Sequence, residues 1–162
     1  MNYLFSLIAF MILSACANNT SETPYSQIQY KAGACFGTCP MFEMTINPDR
    51  TAIIDAERFT FEKAEIGSAT SQEKEGTFRA TITEQDYKTL ITMLNDLDVK
   101  LLQPKYGSRN VTDLPTSYLT VNYYDGTKKT VEDYGKAGSP KLRNLYQFLE
   151  DLRFSQTWTK VD

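Results

Sequence analysis

Apolar and polar residues alternate in several stretches of the first half of the chain. Between residues 25 and 32, Ile28, Tyr30 and Ala32 fall on one face, which is the period of a half-buried strand. Further on, Asn47-Pro48-Asp49-Arg50 has the residues that favour a turn and predicts a hairpin. The predicted strands are 25–32, 42–46, 51–61 and 76–82, with a loop over 66–75.

Two later stretches have helical spacing. Thr83 is placed to cap the first helix, and Glu84 and Asp86 bring negative charge to the positive end of its dipole. Ser139 followed by Pro140 has the N-cap and first-turn residues of a second helix. Each helix then carries one apolar stripe, namely Tyr87, Leu90, Ile91, Leu94 and Leu97 in the first and Leu142, Leu145, Tyr146, Leu149 and Leu152 in the second.

A second hairpin is predicted around Asp125-Gly126, because this dipeptide favours a type I′ turn between two strands. The strands would cover 118–124 and 127–134. A two-residue turn would set Tyr118 opposite Asp133 and Thr116 opposite residue 135, so that Asp113 and Asp133 approach one another at the open end of the hairpin.

The predicted elements follow the order β-β-β-β-α-β-β-α. Strands arrive as hairpins and each helix follows a group of strands, which is typical of the α+β class. The sequence therefore predicts a single antiparallel sheet with two helices packed on one face. Residues 25–162 form one domain in this interpretation, which is an ordinary size for one hydrophobic core.

The N-terminal region predicts export and a lipid anchor. Residues 1–15 carry no charged side chain, and their apolar run is shorter than a membrane-spanning helix requires. Leu13-Ser14-Ala15-Cys16 resembles the bacterial lipobox, in which the cysteine is acylated. We therefore expect a signal peptide over 1–15, lipidation of Cys16, and a flexible tether over 16–24.

Similarity to known sorting signals extends this expectation to a location. The residue after Cys16 is Ala17 rather than an aspartate. By that resemblance the protein would be anchored to the outer membrane of the cell envelope, facing the periplasm.

Composition removes several functional classes. The chain has 17 basic and 20 acidic residues, a net charge of −3, and this balance argues against a nucleic-acid partner. It has no histidine, so every mechanism with an imidazole base is excluded. The sequence contains no phosphate loop, no set of metal ligands and no nucleophile paired with a base, and it predicts no cofactor, metal or catalytic residue.

Cys35 and Cys39 form the sharpest local feature. Two nearby cysteines of an exported protein usually form a disulfide, which would close a short loop around Gly37. The alternative is thiol-disulfide exchange or copper handling, since thiolates suit Cu(I). Known proteins of that kind place the cysteines before a helix, whose N-terminus lowers the thiol pKa, whereas here Cys39-Pro40 leads into a strand.

A second group of candidate residues surrounds the open end of the later hairpin. Asp113, Pro115, Thr116, Asp133 and Tyr134 would form a face for a ligand or a partner. Two carboxylates within reach of one another suit acid–base chemistry or cation binding. The simpler interpretation is that an aspartate beside a proline-containing turn caps backbone amides.

Three motifs together resemble a family of bacterial exported domains of unknown function, many of them lipoproteins. They are the Cys35–Phe42 segment with its C-x-G-x-C-P start, the Thr112–Thr116 segment, and Asp133-Tyr134-Gly135. The resemblance covers residues 25–158 and implies one small envelope domain without a defined activity. The family often has glycine at the first hairpin turn, where this chain has Arg50.

The preferred functional hypothesis is a non-enzymatic binding module, held by the Cys35–Cys39 disulfide and anchored to the membrane through Cys16. Its partner would be another envelope protein or a small ligand. Two alternatives stay open at this point. One is a periplasmic thiol-disulfide or copper protein that uses the two cysteines, and the other is a hydrolase that uses Asp113 and Asp133.

Overall fold

The structure, a computed structural model, describes residues 23–62 and 75–161. The predicted signal peptide, Cys16 and the tether up to residue 22 lie outside these residues, as does nearly all of the predicted loop over 66–75. The helices are α1 (Glu84–Leu97) and α2 (Pro140–Ser155), and a 3₁₀ turn covers Val99–Leu101; the strands are β1 (Tyr25–Ala32), β2 (Phe42–Ile46), β3 (Thr51–Ala56), β4 (Gly76–Thr81), β5 (Lys105–Tyr106), β6 (Thr116–Tyr123), β7 (Lys128–Tyr134) and β8 (Thr159–Lys160).

The strands form one sheet in the order β5-β7-β6-β1-β2-β3-β4-β8. The predicted α+β class is confirmed, and the predicted hairpins form its antiparallel centre. The sheet also has two strands that the sequence pattern did not predict. β5 and β8 have two residues each and lie at the two edges, and β5 runs parallel to β7, so the sheet is mixed.

Both helices pack on one face of the sheet. The strand residues on that face and the apolar stripes of α1 and α2 form one buried cluster, while the opposite face carries the polar members of the alternation. Near the start of β1, the Tyr25 hydroxyl donates to Asn95 of α1 at 2.6 Å. Near its end, the Tyr30 hydroxyl donates to Glu150 of α2 at 2.6 Å. The two helices therefore cover different ends of β1.

The predicted caps are present at both helices. The Thr83 hydroxyl accepts from the backbone N–H of Asp86 at 3.1 Å, and the Ser139 hydroxyl accepts from that of Leu142 at 3.3 Å. Among the described residues, neither helix is long and apolar enough to cross a bilayer.

The turn between β6 and β7 differs from the predicted type I′ turn. Gly126 N–H donates to Tyr123 C=O at 3.0 Å, Tyr123 N–H donates to Thr127 C=O at 2.9 Å, and Gly126 has a positive φ of 79° while Asp125 does not. This is a type I turn followed by a glycine bulge. The Asp125 carboxylate accepts from both the N–H and the hydroxyl of Thr127 and thereby holds the turn.

The bulge shifts the register of the β6–β7 hairpin by one residue. Tyr118 lies opposite Glu132 instead of Asp133, and Thr116 lies opposite Tyr134 instead of residue 135. The predicted register was wrong because it assumed a two-residue turn. In the observed register Asp133 is paired with Ser117 and faces the helices.

The first hairpin has the same turn geometry as the second. Asn47 N–H donates to Thr51 C=O and Arg50 N–H donates to Asn47 C=O, both at 2.9 Å. Arg50 has a φ of 69°, so it takes the left-handed position that Gly126 fills in the other hairpin. The return strand ends at Ala56 rather than at residue 61, because residues 57–60 turn back to bond Met41.

Candidate binding surface at one end of the sheet

The sheet has two ends that differ in their loops. The end at which β1 begins, here called the tether end, contains residues 23–25 and the turns 47–50 and 123–127. The end at which β1 finishes, here called the loop end, contains residues 33–41, 107–115 and 134–138. The three motifs singled out in the sequence all lie at the loop end.

The predicted Cys35–Cys39 disulfide is formed, with 5.7 Å between the two Cα atoms. Two backbone hydrogen bonds attach the disulfide loop and the residues just before it to the Thr112–Thr116 segment. Gly33 N–H donates to Thr116 C=O at 2.8 Å, and Phe36 N–H donates to Asp113 C=O at 3.2 Å. The disulfide loop and the Thr112–Thr116 segment are therefore one connected structure.

Tyr134 connects the third motif to the second. Its hydroxyl donates to Val111 C=O at 2.8 Å and accepts from Leu114 N–H at 3.2 Å, and Gly135 N–H donates to Pro115 C=O at 2.8 Å. Space is tight here, because a Cβ on Gly135 would stand 2.6 Å from a Leu114 methyl carbon. Gly135 also has a positive φ of 71°, so both its conformation and its surroundings favour glycine.

The two candidate carboxylates have different environments. Asp133 is 0% exposed, and its oxygens accept from Ala137 N–H at 2.7 Å and Gly138 N–H at 3.0 Å. Asp113 lies in the exposed loop and accepts from the Thr112 hydroxyl at 3.0 Å. Asp133 therefore caps the turn into α2. Capping of backbone amides was the simpler interpretation for the aspartate beside the proline-containing turn, but the Asp113 carboxylate bonds the Thr112 hydroxyl instead. This arrangement gives no support to an acid–base pair.

A buried polar network lies beneath the loop end. Glu150 accepts from the Tyr30 hydroxyl and from the Lys136 ammonium, whose nitrogen is 2.8 Å from each carboxylate oxygen. Burial first, and then the Glu150 carboxylate, raise the pKa of Tyr30. Since these groups satisfy one another, they fix the segment that follows β7 against α2.

Beside Asp133, the Tyr146 hydroxyl is buried and has no hydrogen-bond partner in the part of the chain that the structure describes. Burial, and next the neighbouring Asp133 carboxylate, raise the pKa of Tyr146. The ring stacks on Tyr30 at a centroid distance of 5.6 Å and thereby packs α2 against β1.

The interlocked loops leave three apolar side chains outside the core. Phe36 is 87% exposed, Val111 is 58% exposed and Leu114 is 39% exposed. We call these three residues the apolar patch. Its exposure was not foreseen from the sequence, and no local pattern indicates it. Phe36 lies between two bonded cysteines that are four positions apart.

Charged groups line one side of the loop end. Lys105 and Arg109 both approach the Glu132 carboxylate, at 3.5 and 3.3 Å, and the Arg109 guanidinium lies 4.9 Å from the centre of the Tyr134 ring. In residues 23–62 and 75–161, no three acidic, thiol or imidazole groups lie close enough together to hold a metal ion.

The tether end has a cavity of about 400 Å³, which sequence reasoning also missed. Its polar groups already bond one another: the Lys100 ammonium lies 3.0 Å from Asp125 and 4.3 Å from the centre of the Tyr123 ring. Burial, and then the neighbouring Tyr123 and Asp98, raise the pKa of Tyr25 to about 12. The residues around this cavity are Pro24, Tyr25, Leu94, Asn95, Asp98, Val99, Lys100, Tyr123, Tyr124 and Asp125.

Comparison with known proteins places the chain in a family of unknown function. A family model described as Domain of unknown function (DUF6438) matches residues 26–153, from the second residue of β1 into the last turn of α2. No curated protein matches the chain. All three motifs of the loop end fall within the matched range.

Proposed function

The chain belongs to the DUF6438 family, and we propose that it is a lipid-anchored, non-enzymatic binding module of the bacterial envelope whose binding surface is the loop end. The anchor would be Cys16, in the outer membrane facing the periplasm. In this proposal the apolar patch makes the contact with the partner. Five neighbouring residues shape the surface, namely Asp113, Pro115, Thr116, Asp133 and Tyr134.

One observation carries this proposal. Phe36 is 87% exposed although the loop that bears it is closed by a disulfide and bonded to Asp113. Burying a phenylalanine side chain is worth roughly 1.5–3 kcal/mol, and this chain leaves that contribution unused in a well-held loop. Apolar side chains grouped on rigid loops are typical of binding surfaces.

The chemistry of the same region favours binding over catalysis. The chain has no histidine, and both oxygens of Asp133 are occupied by backbone amides. A general acid or base must be able to reach the proton that it transfers, and Asp133 is fully buried.

The anchor is tested in a bacterial host that expresses the full chain. We expect the wild-type protein to incorporate a palmitate analogue and to sediment with membranes, and the Cys16→Ala variant to do neither. An unlabelled wild-type protein in the soluble periplasmic fraction would contradict the anchor while leaving the binding surface to be judged separately.

The binding surface is tested by retention of envelope proteins on the oxidised domain. Leu114→Asp places a charge in the apolar patch, and Thr130→Asp places the same charge on an exposed strand position away from it. We expect Leu114→Asp to lower the retained partner at least about tenfold and Thr130→Asp to leave it unchanged. Equal retention by both variants would contradict the assignment of the surface.

The formed disulfide also supports one alternative, a thiol-disulfide protein. The bridge is half-buried at the surface of the domain, where another thiol would have access to it. Its reduction potential decides between the two functions. A value below about −300 mV marks a structural disulfide, whereas a value between about −120 and −230 mV lies in the range of redox catalysts and would favour the alternative.

A further inference from the structure

We infer that the loop end docks onto a folded protein that receives the Phe36 ring in an apolar pocket and lies on the side of the domain away from the anchoring membrane. This inference rests on the proposed function, because it uses the lipid anchor at Cys16. It adds the kind of partner and the direction from which that partner approaches.

The tether joins the domain at Thr23 and Pro24. Thr23 is buried, and Tyr124 N–H donates to Pro24 C=O at 3.0 Å, so the chain is already held at these two residues. Only residues 17–22 separate them from Cys16, and the chain from Cys16 to Thr23 spans at most about 25 Å. The anchor therefore keeps the tether end of the domain within about 25 Å of its membrane.

The two ends of the domain are separated by about the length of β1. β1 has 8 residues and spans about 26 Å at about 3.3 Å per residue. It begins beside Pro24 and finishes beside Gly33, which bonds Thr116 at the loop end. When the domain extends away from the membrane on this tether, the apolar patch lies about one strand length further out, in the aqueous compartment.

The chemistry of the apolar patch favours a protein over a second bilayer. Asp113 is exposed between Val111 and Leu114 in the chain, and Phe36 is bonded to its backbone carbonyl. Inserting the apolar patch into hydrocarbon would carry this carboxylate with it, and burying an unpaired carboxylate is costly. A protein pocket can receive the ring and leave the carboxylate in water.

The apolar patch is held in one arrangement before binding. The disulfide closes the Phe36 loop, and Tyr134 bonds both Val111 and Leu114 through its hydroxyl. A surface that is ordered in advance loses less conformational entropy on association. An aromatic side chain on such a surface is typical of the anchor residues that dominate protein interfaces.

The test places a photoreactive phenylalanine analogue in the full-length, membrane-anchored protein in living cells. One variant carries the analogue at Phe36. The matched control carries it at Tyr124, an aromatic residue of the tether end that is 67% exposed. Both variants are compared with the wild type by thermal unfolding and by the absence of free thiols, so that only folded, oxidised proteins are scored.

We expect illumination to give one discrete protease-sensitive adduct from position 36 and none of the same size from position 124. Adding Leu114→Asp should lower the adduct at least about tenfold, whereas adding Thr130→Asp should leave it unchanged. Lipid adducts alone at position 36, the same protein adduct at both positions, or no protein adduct at position 36 would each overturn the inference.

Palmitate labelling of the same cells separates this inference from the proposed function. A labelled protein that gives no protein adduct at position 36 overturns the docking inference and leaves the anchor standing. An unlabelled protein removes the anchor, and with it the orientation on which the inference depends.

Discussion

The two ends of the sheet use their polar groups differently. At the tether end, polar side chains bond one another or their own turn, as Lys100 and Thr127 do with Asp125. At the loop end, a polar side chain also joins separate backbone segments, as Tyr134 does with Val111 and Leu114, and Phe36 is left in solvent. The comparison teaches that the loop end is built to keep a fixed shape around an exposed apolar side chain.

The largest predicted difference in stability is between substitutions of the two aspartates of the loop end. Asp133→Asn should lower the free energy of unfolding by about 1.5–3 kcal/mol, because an amide cannot accept from both buried N–H groups as the carboxylate does. Asp113→Asn should change it by less than about 0.5 kcal/mol, because that side chain is in solvent. Urea unfolding measures both values, and equal losses would contradict the capping role of Asp133.

Removal of the disulfide is the next largest effect. Replacing both Cys35 and Cys39 by serine should lower the free energy of unfolding by about 2 kcal/mol, the chain-entropy value for so short a loop. Hydrogen exchange should show faster exchange at the amides of Gly33 and Phe36, which bond the neighbouring segment. Unchanged exchange at these amides would mean that the bridge does not hold the loop end.

A smaller change in stability is expected at the tether end. There the two hairpin turns have the same geometry but different residues at the left-handed position, Arg50 and Gly126. Arg50→Gly should raise the free energy of unfolding by about 0.5–1 kcal/mol, because glycine adopts a positive φ without strain. Gly126→Ala should lower it by about 1 kcal/mol for the same reason. Thermal unfolding of the two variants checks both signs, and a destabilised Arg50→Gly variant would show that the arginine side chain outweighs the strain.

The smallest effect is electrostatic. Hydrogen bonds from the Thr127 hydroxyl and N–H, and then Lys100, lower the pKa of the Asp125 carboxyl to about 2. A depressed carboxyl pKa contributes stability above the ordinary value near 3.8, and this contribution is lost as the pH falls towards about 2. Thr127→Val should raise the Asp125 pKa, which a carbon-detected NMR titration would measure; an unchanged pKa would contradict the role of the hydroxyl.

The long elements of the fold were predictable because a local pattern of residues specifies each one. The alternation in β1, the stripe of α1 and the caps Thr83 and Ser139 all act within a few residues. β5 and β8 have two residues each, too few for any period, and tertiary pairing alone creates them. The register of the second hairpin was missed because the Thr127 bonds of Asp125 favour a bulged turn over the two-residue turn.

The candidate site was predictable only in part. The disulfide followed from the spacing of the cysteines, and hairpin topology brought Asp113 towards Asp133. The contact of the disulfide loop with Asp113 was not predicted. The bond from Tyr30 to Glu150 joins residues 120 positions apart, and no local pattern announces it. The exposure of Phe36 also depends on where the folded core lies, so the side chain that carries the functional proposal became visible only in three dimensions.

The most direct test of the central claim is one variant measured in two ways. Phe36→Ser should leave the free energy of unfolding within about 0.5 kcal/mol of the wild type, because the ring packs against little in the free domain. The same variant should lose at least about tenfold in retention of the envelope partner. A loss of stability above about 1.5 kcal/mol with retention unchanged would show that Phe36 serves the fold, and would contradict the account.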